Sequence, residues 1–97
     1  MFRTVVLRGQ RDGSIAWSGS PAAELGSWTL TRDEHFKFTL SARVARADSF
    51  RLRQSPLFFV TPRRQKPAGL WCFPVLPKSL QVQGTSLTAA LGPPEGR

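Results

Sequence analysis

Apolar and polar residues alternate most regularly from Phe36 to Ala45, where Phe36, Phe38, Leu40, Ala42 and Val44 interleave with Lys37, Thr39, Ser41, Arg43 and Ala45. Successive side chains of a strand point to opposite faces, so this period of two predicts a strand with one buried and one wet face. Arg46-Ala47-Asp48-Ser49 supplies turn chemistry, and Phe50-Arg51-Leu52-Arg53 resumes the alternation, which predicts a hairpin. With Phe50 and Leu52 in the same core, Arg51 and Arg53 share the outer face with Lys37 and Arg43.

Shorter segments extend the pattern. Phe2 to Arg8 and Ser14 to Ser18 flank the turn cluster Gly9-Gln10-Arg11-Asp12-Gly13, whose closing Asp-Gly pair favours a hairpin loop. Trp28 to Thr31 is a strand segment closed by the polar turn Arg32-Asp33-Glu34-His35. Leu57 to Val60 is uniformly apolar, as a strand covered on both faces would be. Its expected partner is Leu70 to Val75, where Pro74 marks a bulge or an edge. Leu80-Gln81-Val82-Gln83 alternates again, Gly84 invites a turn, and Leu87 to Leu91 forms a last strand. The one helix signal is Ser20-Pro21-Ala22-Ala23-Glu24-Leu25-Gly26, with a serine cap, a proline at the first helical position and a glycine stop.

Together these segments predict an all-β fold, a small single-domain barrel or sandwich of about 7–9 short strands with one short helix near residues 21–26. Residues 1–91 form the domain and residues 92–97 a flexible tail. The chain has 97 residues, the size of one core, and its 40% hydrophobic content is that of a folded chain. No run approaches the roughly 18–20 apolar residues that span a bilayer, and Arg8 interrupts the N-terminal apolar stretch before it reaches signal-segment length. No membrane association is expected, and a reducing cytoplasm is the expected compartment. The lone Cys72, set in Leu70-Trp71-Cys72-Phe73, excludes an internal disulfide and reads as a small buried hydrophobe.

Charge changes the picture more than composition does. Lys and Arg number 14 against 6 Asp and Glu, a formal net charge of +8, enough to draw polyanions or acidic protein surfaces at long range. From Ser49 to Pro94 there is no acid, while Arg51, Arg53, Arg63, Arg64, Lys66 and Lys78 are all cationic. Arg63, Arg64 and Lys66 occupy the tip between two apolar arms, and the flanking Pro62 and Pro67 lower the entropy lost when that tip is held against a partner. An outward Trp71 or Phe73 would offer a stacking surface for a base; Trp17 and Trp28 are expected in the core. The ordinary alternative is that the arginines are solvated-face residues and Trp71 is core.

Catalysis finds little support. His35 is the single histidine, and in Asp33-Glu34-His35 three consecutive residues cannot all point at one ion without an unusual loop. There is no phosphate-binding glycine loop, no nucleophile elbow and no H-E-x-x-H pair. The expectation is a non-enzymatic protein needing no cofactor or metal. It binds nucleic acid, single-stranded DNA or RNA in preference to duplex, with Lys37, Arg43, Arg51, Arg53, Arg63, Arg64 and Lys66 on phosphates and Trp71 available for stacking. The alternative is an interaction module or inhibitor docking on an acidic protein surface, such as that of a nucleic-acid enzyme. Strand edges also allow self-association into a homodimer.

Overall fold

The alternating segments line up as nine strands of a single sheet in the computed structural model, which describes residues 5–17, 26–54, 57–63 and 68–96. They are β1 (Val5–Gly9), β2 (Ser14–Trp17), β3 (Gly26–Arg32), β4 (Phe38–Arg43), β5 (Leu57–Pro62), β6 (Leu70–Pro74), β7 (Gln81–Gln83), β8 (Ser86–Leu91) and β9 (Glu95–Gly96). Their order across the sheet is β7-β8-β4-β3-β2-β1-β5-β6-β9. Neighbours pair antiparallel except β1 and β5, which run parallel in the register Val5↔Leu57 to Arg8↔Val60.

The sheet curls until its two flanks meet. Val75, just after β6, forms a bridge with Leu91 of β8, and Gly92 N–H donates to the Pro74 carbonyl at 2.8 Å. The concave side holds the core: Leu7, Leu40, Leu52, Phe59, Phe73 and Leu87 are essentially inaccessible to solvent. All but Leu52 are inward positions of the strand alternation, so the small barrel-like all-β architecture follows from the sequence pattern. No helix among the described residues is long and apolar enough to cross a membrane.

Two predicted strand segments behave differently. Phe36 does not open the buried face of β4; it lies in the preceding turn with φ 59° and 71% of its surface exposed. The carboxylate of Asp33 captures the N–H groups of His35 and Lys37, which folds these residues into the turn and delays the strand to Phe38. Phe50-Arg51-Leu52-Arg53 is helical, not extended: a 3₁₀ turn at Arg46–Asp48 leads into helix α1 (Ser49–Gln54). Four alternating residues are too few to separate a period of 2 from one of 3.6. Residues two apart on a helix cannot face the same way, so Leu52 is buried and Phe50 is turned out, 68% exposed. The helix expected near residues 21–26 falls on residues 21–25, outside the described residues, and Gly26 opens β3. Within the segment expected as a tail, Glu95 and Gly96 pair with Cys72 and Trp71.

Gly9 explains how the wall of the barrel accommodates its aromatic filling. The Phe59 and Trp28 rings pack edge to face, centroids 5.1 Å apart, directly against the β1 backbone. A Cβ on Gly9 would lie 2.7 Å from Phe59 Cζ and 2.7 Å from Trp28 Cε2, well inside contact distance. Gly9→Ala should therefore lower stability by about 1–3 kcal/mol through overpacking. The reading is a lower urea midpoint with an unchanged slope; an unchanged midpoint would show that both rings yield.

Candidate functional site

Strand direction decides which loops share an end of the sheet. β2 runs antiparallel to β1, β3 antiparallel to β2, and β5 parallel to β1, so β1, β3 and β5 all point the same way. The loops that follow them, carrying Arg11, Lys37 and Arg63, therefore leave from the same end. Arg64 and Lys66 belong to the third of these loops but lie outside the described residues.

The single cationic face expected from Lys37, Arg43, Arg51 and Arg53 does not form, because α1 takes two of its members elsewhere. Arg51 lies over the Trp17 ring with its guanidinium carbon 5.3 Å from the centroid, and Arg53 hydrogen-bonds the Val82 carbonyl oxygen. Arg43, at the far end of β4, stays on the outer face, in register with Ser27 on one side and Ser86 on the other. Around it Thr29, Ser41 and Thr88 complete a shallow hydroxyl-rich hollow of about 280 Å³.

At the loop end, residues distant in sequence converge. Arg11, Trp28, Thr61, Pro62 and Arg63 line a hollow of about 240 Å³. Each wall has a local cause. Asp12 Oδ1 accepts from the Ser14 N–H at 2.9 Å and the Ser14 hydroxyl at 2.6 Å, while Gly13 N–H donates to the Gln10 carbonyl at 3.0 Å. That turn fixes the backbone beside Arg11. The Trp28 indole N–H donates to the Gln10 carbonyl at 3.0 Å, tying β3 to the same turn. Across the hollow, Arg63 N–H donates to the Gly69 carbonyl at 2.9 Å and closes the base of the β5–β6 loop. The Arg63 Nε is buried and has no hydrogen-bond partner among the described residues.

Trp71 does not face outward. It shares the inward face of β6 with the buried Phe73, and its half-buried ring packs edge-on against Phe38 at 6.0 Å and Phe73 at 5.7 Å. Trp28, expected in the core, does pack there, but it also forms part of the hollow's wall. Among the described residues Phe36 and Phe50 are the aromatics that stand in solvent, and Phe36 has the Arg32 guanidinium carbon 4.9 Å from its ring centroid. Beside it, His35 Nε2 and Glu34 Oε1 are 3.5 Å apart. No group of three or more His, Cys, Asp or Glu residues that could hold a metal occurs among the described residues.

Arg11 was not singled out by sequence because it sits in an ordinary-looking turn; only the non-local β1–β5 pairing brings it to Arg63. Compared with known protein families, curated proteins and solved structures, the chain matches none.

The turn beside Arg11 leaves a titration signature. Hydrogen bonds from the Ser14 hydroxyl, and then from its backbone N–H, hold the Asp12 carboxyl below its ordinary value of 3.8. Because the folded pKa is depressed, the stabilisation is fully present above the unfolded value and is lost as pH falls through the folded one. Carbon-detected NMR titration should place the Asp12 midpoint below 3.8, and Ser14→Ala should raise it; a wild-type midpoint at 3.8 would contradict the bonded turn.

Proposed function

We propose that this protein is a non-enzymatic binder of nucleic acid that holds the phosphate backbone, of single strands in preference to duplex, at the rim of its barrel. The observation that carries this reading is the convergence of Arg11 and Arg63, from separate hairpins, on one hollow walled by Trp28. Guanidinium forks match phosphate oxygens in planar, two-pronged contacts. A formal net charge of +8 supplies the long-range attraction that brings a polyanion to them. Arg64 and Lys66, which follow Arg63 in sequence and lie outside the described residues, add positive charge to the segment between β5 and β6, and Lys37 sits in the turn after β3. The preference for single strands follows from the short, loop-borne character of the rim, which among the described residues presents no helix to a major groove. Arg43, Arg51 and Arg53 contribute to the general attraction and are not assigned backbone contacts.

Fluorescence anisotropy of labelled single-stranded DNA, single-stranded RNA and duplex DNA, titrated at two salt concentrations, tests the proposal. Affinity should fall as salt rises, and the slope of log K against log salt should shrink by about 0.7 for each phosphate contact removed in Arg11→Ala and Arg63→Ala. Absence of binding to all three at low salt would overturn it and leave an acidic protein surface as the partner to seek.

A further inference from the structure

The strongest local anomaly outside the hollow is Phe36. A bulky residue in the left-handed region is a genuine outlier, because its Cβ crowds the following carbonyl, and glycine or asparagine ordinarily takes such places. Here the φ is 59°, yet the ring is 71% exposed and gains no core packing in return. Strain of this kind collects where a side chain is held out for use.

The turn is built to hold it. Asp33 accepts from the N–H of His35 at 2.8 Å and of Lys37 at 2.9 Å through its carboxylate, and from the N–H of Phe36 at 3.1 Å through its carbonyl. Asp33 N–H in turn donates to the Lys37 carbonyl at 3.0 Å. A surface fixed in advance loses little entropy when a partner arrives.

We propose that Phe36 is a base-stacking platform for single-stranded nucleic acid, an inference that rests on the function proposed above. Its ring presents a π-face that any unpaired base can cover, and the Arg32 guanidinium against it, 4.9 Å from the centroid, stands within the same tip to meet a phosphate. The tip's Arg and Lys charges are matched by its carboxylates, Arg32 and Lys37 against Asp33 and Glu34. Its contribution is therefore stacking and not net charge neutralisation.

The platform belongs to the same rim as the arginine hollow. Arg32 pairs with Phe38, the Phe38 ring meets Trp71 at 6.0 Å, and Trp71 pairs with Thr61, which lines the hollow. A strand whose backbone is held by Arg11 and Arg63 passes a neighbouring aromatic instead of the inward-facing Trp71.

The test compares wild type, Phe36→Gly and Phe36→Trp on a labelled oligothymidylate and on duplex DNA. Phe36→Gly should weaken single-strand binding roughly 5- to 100-fold, the loss of one stacked base. The salt slope should stay unchanged because no phosphate contact is lost. Duplex affinity should be unaffected, and Phe36→Trp should restore single-strand binding. The urea midpoint of Phe36→Gly should be equal to or higher than that of wild type, since glycine accepts the turn's φ. Wild-type binding with an undiminished Phe36→Gly, or an equal loss on single strand and duplex, would overturn the platform and leave the backbone reading standing. A wild type that binds neither nucleic acid would instead overturn the backbone reading, and the platform with it.

Discussion

On one edge β1 bonds to its own hairpin partner, and on the other it runs parallel to β5, from Val5↔Leu57 to Arg8↔Val60. A parallel pair cannot be closed by a tight turn and needs a long crossover. Here the crossover is most of the first half of the domain: β2, β3, β4 and α1. Without this contact, the β5–β6 hairpin would not be joined to β1. With it, Phe59 lies beneath Gly9 and Trp28, and the turns after β1 and β5 come to stand side by side. The pairing therefore sets both the filling of the barrel and the meeting of Arg11 with Arg63.

Electrostatics take their shape from that scaffold. A long acid-free stretch of sequence suggests one continuous basic surface, but charge counted along a chain carries no direction. Helix α1 diverts Arg51 onto Trp17 and Arg53 onto the β7 backbone, where both serve packing as well as charge. The cations that converge do so because strand direction delivers their loops to one end of the sheet.

What could be read in the sequence depended on how long a pattern persisted and whether it was local. The β4 alternation held for Leu40, Ala42 and Val44, and the apolar arms around the basic tip are paired strands, Phe59 opposite Phe73. The pattern misled at Phe36, where a single aspartate outcompeted the strand for two backbone N–H groups, and at Phe50-Arg51-Leu52-Arg53, where four residues fit either period. Trp71 was a question of facing, and its parity with Phe73 answers it. The parallel pairing left no local trace, so the partnership of Arg11 with Arg63 was invisible until the topology was known.

The outermost strands of the sheet, β7 and β9, are three and two residues long. Unpaired strand edges are templates on which a second chain can polymerise, and brevity is one way of blunting them. The bridge between Val75 and Leu91 removes more of the free perimeter by joining the two flanks of the curl. The described sheet thus ends in short edges that offer little backbone for edge-to-edge growth, and the chain's surplus positive charge repels its own copies. The curl that shapes the rim also works as protection against aggregation.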